Sequence, residues 1–453
     1  MTRWTLMAVI LATCSRGLLA ADPTPLQIAV FNVDATPPIG SPVAYAPARK
    51  ILAPLSARGI VLLGGDKPVV LCAVDWIGIA NGGQDVWKQR LAEAAGTTPD
   101  HVAVHALHQH DGARCDFTAE AMLEACGLGG KAFDNAFANR TIAAAASAIR
   151  SGVAHPVRVT HIGVGKGLVE KVASNRRILG PDGKVAIVRW SRMTDPRATE
   201  APEGTIDPYV RVVSFFDGDR PIVALTYYAT HPQSYYGKGD VNPEFVGMAR
   251  SMREQATGDL PHVHFNGAGG NVTAGKYNDG SEPLRPILAS RLAEGMKRAF
   301  DSMTRQPITA AEVQWRTVPV KLPLTQHLSI DKPRATLSDP TVDAKAKISA
   351  ASDLAWLERN AAGRTIDIGC LRLGTVRVLH MPGELFVEYQ LVAQAMKPDA
   401  TVCMAAYGEY GPGYIGTQIA YSQGGYETGP TASLVAPTVE TVLMNAMREL
   451  LRQ

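Results

Sequence analysis

Residues 67–110 read KPVVLCAVDWIGIANGGQDVWKQRLAEAAGTTPDHVAVHALHQH. The opening, 67–79, is a continuous apolar run of the kind that suits a strand covered on both faces. Residues 84–96 have helical spacing, with Val86, Leu91 and Ala94 on one stripe. Residues 101–110 return to a strand pattern. Strand, helix and strand in this order form a β–α–β unit, which predicts an α/β fold.

The same alternation extends outward from this stretch. IAVFNVDATPPIGSP (28–42) reads as a strand ending in a Pro-Pro-Ile-Gly turn. Further strands are expected in RPIVALTYYAT (220–230), HVHFN (262–266), TVRVLHM (375–381) and ATVCMAAY (400–407). Helices are expected over 285–302, 344–360 and 437–451, the last with Val439, Val442, Leu443, Ala446 and Leu450 on one face. There is no internal repeat and no low-complexity tract. The stretch 305–364 carries little chemistry and is expected to be peripheral. The architecture predicted is a mixed sheet sandwiched by helices, with the site at the carboxyl ends of the strands.

The chain has 453 residues, 46% of them hydrophobic, enough for a large core. Charged residues are 19% and net charge is +3, with no long Lys/Arg run, so no nucleic-acid partner is expected. Residues 1–21 read as a secretory signal: Arg3 gives the positive start, Leu6 to Ala12 the apolar stretch, and Ala20 or Ala21 a small residue for cleavage. This predicts a secreted or periplasmic protein. Lipid anchoring at Cys14 is the alternative. The expected organisation is a signal peptide over 1–21 and one catalytic domain over 22–453. Export permits disulfides, and Cys115 and Cys126 stand close enough in sequence to pair. The other reading is free buried thiols. No CxxC occurs, so a thiolate zinc site is unsupported.

Four predicted strands run into loops holding candidate ligands. HALHQHDG (105–112) contributes His108 and His110, which point to one side of an extended chain. TYYATHPQ (226–233) places His231 just past an apolar strand. HMPGELF (380–386) puts Glu384 after a Pro-Gly turn, where a helix is expected to begin and its dipole favours an acid. AAYGEYGPGYIG (405–416) holds Tyr407, Tyr410 and Tyr414. Each also has a structural reading: a polar strand end, a structural histidine, a first-turn glutamate, a packing loop. HFNGAGGNVTAGKYN (264–278) is a glycine-rich loop that can approach a substrate closely and offer backbone N–H groups. His262 and His264 alternate on the strand before it.

Taken in order, these segments resemble the neutral/alkaline ceramidase family. The resemblance runs from VDATPPIGSP and LSARGIVL through HQHDG, NRR, ATHPQSYYG, GDVNPEFVG, the glycine loop and MPGE to GYIGTQIAYSQGGYETGPTAS. It implies Zn²⁺ bound by His108, His231, Glu384 and Tyr414. The family's later active-site tyrosine lies twelve residues past its tyrosine ligand, as Tyr426 lies past Tyr414. Arg176 matches the family's substrate-contacting arginine. The resemblance implies catalytic roles for His110 as proton carrier and for Tyr426 and Arg176 as stabilisers of an oxyanion. Gly270, Asn271 and Thr273 fall in the substrate-binding loop. The chain departs from the family motif at Gln109 and Asp111, where the family has Thr and Ser, and at Thr273, where it has Ser. Asp111 is placed to orient His110 or to alter the charge of the site. No counterpart of the family's immunoglobulin-like C-terminal domain is expected within these 453 residues.

The resemblance implies a zinc-dependent amidohydrolase that cleaves an N-acyl substrate such as ceramide through a metal-activated water. Its partners are then a small-molecule or lipid N-acyl substrate, with peripheral access to a membrane surface left open. Two alternatives stand beside this: a zinc hydrolase of a soluble amide or an ester, and a non-catalytic exported binding protein on the same scaffold. No GxSxG occurs, so a serine triad is not supported.

Overall fold

The structure, a computed structural model, describes residues 1, 25–235 and 237–452. The signal segment after Met1, with Cys14, lies outside the described residues.

The fold is mixed α/β. Instead of one sheet there are three larger ones, and each follows the same plan: antiparallel pairs, then one parallel pair at an edge. The first runs Val102–Ala106, Val69–Val74, Ser56–Leu63, Gln27–Asp34, Val157–Arg158, with 69–74 parallel to 102–106. The second runs His262–Asn266, Arg220–Tyr228, Tyr209–Asp217, His161–Leu168, Thr304–Pro307, with 220–228 parallel to 262–266. The third runs Val313–Val320, Ile366–Leu373, Val376–His380, Thr401–Ala405, with 376–380 parallel to 401–405.

The apolar runs are explained by what covers them. Along the first sheet Ile28, Ile60 and Leu71 face an inner core shared with Phe215 and Leu225 of the second sheet and Leu371 and Val378 of the third. Their neighbours Ala29, Val61, Val70 and Cys72 face an outer core beneath helices Gly82–Ala95 and Asn135–Ala154. The second and third sheets have their own outer cores, capped by helices Glu244–Ala256 and Leu284–Asp301 and by Val387–Met396 and Val439–Leu451. Helices therefore cover one face of each sheet, not both. The strand period of two distributes side chains between two buried layers, which is why no polar alternation marks these strands in sequence.

Where the parallel edges meet, the strand ends are tied together. Ala106 N donates to Tyr407 O at 3.0 Å and Ala406 N to Asn266 O at 2.9 Å. The Asn266 side chain closes the triangle, its Nδ2 donating to Leu107 O at 2.6 Å. The carboxyl ends of strands from all three sheets are thus clasped at one point.

Several expectations change in detail. The run 67–79 is not one strand; it stops at Val74, and Asp75 turns in to form a buried ion pair with Arg250 at 2.7 Å. The helical stripe of 84–96 is buried through Trp87, Leu91, Ala94 and Ala95, with Val86 only partly covered. The stretch 305–364 is less peripheral than expected. It supplies the edge strand Val313–Val320, and its helix Ala344–Ala361 packs Ala351 and Ala355 against Ala119 and Leu123. The five described cysteines are all free, so Cys115 and Cys126 are not paired. Among the described residues no helix is long and apolar enough to cross a membrane.

Candidate metal centre

Leaving the strand Val102–Ala106, Leu107 N and His108 N bond to Val74 O and Trp76 O at 2.8 and 2.9 Å. This pulls the chain into a turn, and His108 sits at φ +60°. Such a conformation is uncommon for a non-glycine residue and is held here by its surroundings. His108 and His110 therefore converge through a turn and not, as the pleat argument expected, along an extended strand; their ring centroids are 4.8 Å apart. His108 Nδ1 donates to Ile77 O at 2.7 Å, which leaves Nε2 with its lone pair facing inward.

His231 follows the strand Arg220–Tyr228 and is fixed by its N–H to Val272 O at 2.9 Å, a bond to the glycine loop. Glu384 does not begin a helix. It lies in a two-residue strand, Glu384–Leu385, parallel to Tyr414–Ile415 and in register with Tyr414; the helix starts at Val387. Gly383 makes this possible: its φ is +60°, and a Cβ there would stand 2.6 Å from Gly413 O.

The side chains meet in a buried cluster. His108 Nε2 lies 3.1 Å from His231 Nε2 and 3.2 Å from Glu384 Oε2, and His231 Nε2 lies 3.7 Å from that oxygen. None of the three residues is more than 3% exposed. The ligand atoms of His108, His110 and His231 also fall within 4.8 Å of one another. Glu384 Oε1 accepts from Tyr410 Oη at 2.7 Å, while Oε2 is buried without a hydrogen-bond partner. Burial alone would raise the Glu384 carboxyl; His108, Tyr410 and Tyr414 outweigh it and hold it below its usual range. Burial pushes His231 and His110 well below the ordinary histidine value, so both rings are neutral at pH 7. It pushes Tyr414 well up, with Arg176 pulling the other way. Two imidazoles, a carboxylate and a phenol oxygen beside an arginine fit the donor set of a zinc ion.

His110 stands at the edge of this cluster. Its Nδ1 meets Tyr45 Oη at 2.7 Å, and its Nε2 is buried without a hydrogen-bond partner. Arg176 Nη1 donates to Tyr414 Oη at 3.0 Å, and its Nε lies 2.9 Å from Glu427, a fully buried carboxylate that also pairs with Arg177. The guanidinium is 5.5 Å from the Tyr426 ring and 5.5 Å from the Trp190 ring, and the exposed Tyr426 ring stands edge-on to Trp190.

Other predicted residues have structural work. Asn271 bonds to Val387 N and Glu388, and Gly270 N to Leu385 O, so both brace the Glu384 segment. Thr273 is buried in the short ladder with Ser174. Asp111 does not orient His110; its carboxylate accepts from Lys238 N, Gly239 N and Asn242 Nδ2. His264 bonds Thr226 and His262 bonds Leu260 O, away from the cluster. Sequence reasoning missed Tyr45 and Glu427, for which no local pattern gave a signal. It also gave no role to Tyr410, or to Tyr407, whose ring stacks on His108 at 4.8 Å.

A cavity of about 200 Å³ opens onto Glu384, Tyr410 and Tyr414. Tyr426 stands at its rim, and its far wall comes from helix Ala344–Ala361 through Ser352 and Asp353.

Two solved structures share this architecture. One is the neutral ceramidase from Pseudomonas aeruginosa: TM-score 0.67, 15% identity, covering 95% of this chain and 74% of that one. The other is described as ceramidase complexed with C2: TM-score 0.65, 15% identity, covering 94% and 75%. No family model and no curated protein matches the sequence.

Proposed function

We propose, from a fold shared with ceramidases and the donor set at its centre, that this protein is a zinc-dependent amidohydrolase. The observation that supports it best is the unmet Oε2 of Glu384, buried against His108 Nε2 and His231 Nε2. Electron-rich atoms at such distances in a dry interior call for a cation between them.

In this reading His108, His231, Glu384 and Tyr414 hold the zinc. When bound, the ion supplies Lewis acidity and makes a nucleophile of water at neutral pH. His110 is neutral because it is buried, and its free Nε2 would take a proton from an attacking water and return it to the leaving amine. Tyr45 fixes the ring by its bond to Nδ1. Arg176, held charged by Tyr414 and Glu427 against its own burial, steadies the oxyanion together with Tyr426. The bond broken is the amide of an N-acyl compound. Ceramide is the substrate that the names of the structural relatives bring to mind. The second reading, a soluble amide or an ester, draws support from the cavity wall, where Arg114, Asn81, Ser352 and Asp353 are polar. The signal-like segment supports action outside the cytoplasm.

The deciding experiment is elemental analysis of the purified protein and of His231→Ala, with amide hydrolysis measured before and after chelation. About one zinc per chain, lost in the variant, with activity lost on chelation, is the expected outcome. Full activity without metal would overturn the assignment. No zinc after supplementation would leave a binding protein on this scaffold.

A further inference from the structure

The cavity beside Glu384 has a size and a charge pattern of its own. Pockets for drug-sized ligands span about 300–1,000 Å³. This one has about 200 Å³. Its apolar lining comes from Ala80, Cys115, Phe133, Ala432 and Leu434, with tyrosine rings beside them.

Two charged walls stand out. Arg114 lies in the short strand Arg114–Cys115, just past the His108–His110 turn. Its one hydrogen bond goes to a backbone carbonyl, Ala44 O at 3.2 Å, and it forms no ion pair among the described residues. It lines the cavity together with Glu384 and Tyr410, and its positive charge disfavours a proton on both Tyr410 and His110. Asp353 is half-buried on the far wall and has neither a hydrogen bond nor an ion pair among the described residues. Burial lifts its carboxyl to about 6, and Lys332 is the charge that acts on it, not Arg114. At neutral pH it is an anion facing the cavity with little to offset it. Asp116, also on the wall, is already engaged, accepting from Asn81 Nδ2 and capping helix Phe117–Ala125.

A half-enclosed cation near the candidate zinc ligands and a half-enclosed anion farther out are complementary to a ligand with the opposite polarity. We propose that this cavity selects a small zwitterionic amide of dipeptide size, its carboxylate held by Arg114 and its ammonium by Asp353. Cleavage of such a compound rests on the amidohydrolase reading; its recognition does not. In that cleavage water adds to the amide carbon and the C–N bond breaks. The acyl side leaves as a carboxylate, and the nitrogen side leaves as an amine that takes the proton. The carboxylate-bearing half is then the leaving amine, on the wall that carries Arg114.

Three probes separate the two charges: L-alanyl-L-alanine, L-alanyl-L-alaninamide without the carboxylate, and N-acetyl-L-alanine without the ammonium. Binding is measured by calorimetry on the full chain after chelation, and initial rates on the zinc-loaded chain. The dipeptide is expected to bind about tenfold tighter than either singly charged probe, as a charged hydrogen bond in a part-buried site gives. Arg114→Gln should remove only the preference for the carboxylate, and Asp353→Asn only that for the ammonium, with unchanged circular dichroism. Equal binding of the three probes, no binding of any, or a uniform loss in either variant would overturn the inference. Binding as expected without hydrolysis would leave the inference standing and sink the amidohydrolase reading.

Discussion

The protein holds two pairs of buried histidines in near contact, and they differ in what stands beside them. His108 and His231 approach to 3.1 Å, His105 and His380 to 3.0 Å. In the second pair the protons can be assigned without conflict. His105 Nδ1 donates to Ala406 O at 2.7 Å, so its Nε2 accepts from His380 Nδ1. One atom is left over, His380 Nε2, on the wall of a polar cavity of about 440 Å³. The first pair can be protonated in the same way: His108 Nδ1 donates to Ile77 O and its Nε2 accepts from His231 Nε2, which leaves His231 Nδ1 over. The carboxylate oxygen Glu384 Oε2, 3.2 Å from His108 Nε2, then has no donor. Closeness of histidines does not make a metal site. What separates the two pairs is a third electron-rich atom with nothing to bind.

The comparison can be broken most directly at Glu384. Glu384→Gln should cut zinc affinity by more than the roughly 10–100-fold that outer partners of a metal site are worth. In zinc-free protein the sign reverses. There the variant should be at least as stable as wild type in urea unfolding, because an unmet buried carboxylate oxygen has been removed. A large loss of stability in the zinc-free variant would mean that the cluster is satisfied without a cation.

His110 sharpens the boundary of the first pair. His110→Asn should keep its zinc, by elemental analysis, and lose about 10²–10⁴ in kcat. Loss of the metal would make His110 a ligand, which the spacing of the three histidines also allows.

For the second pair the signature is in stability against pH. Burial lowers His105 from 6.5 to about 4. Between those values the unfolded chain carries the extra proton, so stability falls as pH drops from about 6.5 towards 4, by up to roughly 3 kcal/mol. Urea unfolding at several pH values should show a shallower fall in His105→Asn. Equal slopes would remove His105 from the account. The smallest effect is expected from His380→Phe, about 1–3 kcal/mol of stability from the lost hydrogen bond, with zinc content unchanged.

Much of the cluster was legible because its ligands follow apolar strands. His108, His231 and Glu384 could be singled out as candidates from runs of the type TYYATH and HMPGE, since strands buried on both faces announce themselves and their carboxyl ends gather sites; their choice as ligands came from the resemblance to ceramidases. The division into three sheets was not legible. Period two only says that successive residues face different ways, and with both faces buried it cannot say against what. The local shape at the ligands was hidden too: His108 takes a left-handed turn and Glu384 a two-residue strand because of partners far away in sequence, Trp76 and Tyr414. Asp353 had no signal at all, since an acid on a helix is ordinarily a solvated one. Only the packing of helix Ala344–Ala361 brings it to the cavity.

The clasp joining Ala106, Asn266 and Ala406 has a kinetic consequence. Its three members are separated by well over a hundred residues, so it closes only after each sheet has formed and docked, a slow step for a topology of long-range contacts. Of the proposed ligands, His108 and Tyr414 follow two of the clasped strands, and His231 and Glu384 follow the parallel neighbours 220–228 and 376–380 of clasped strands. Zinc capture should therefore come at the end of folding, and a chain with any one sheet misassembled would fail to retain the ion. Metal retention would then work as a checkpoint, reporting in a single event that three separately built sheets have come together.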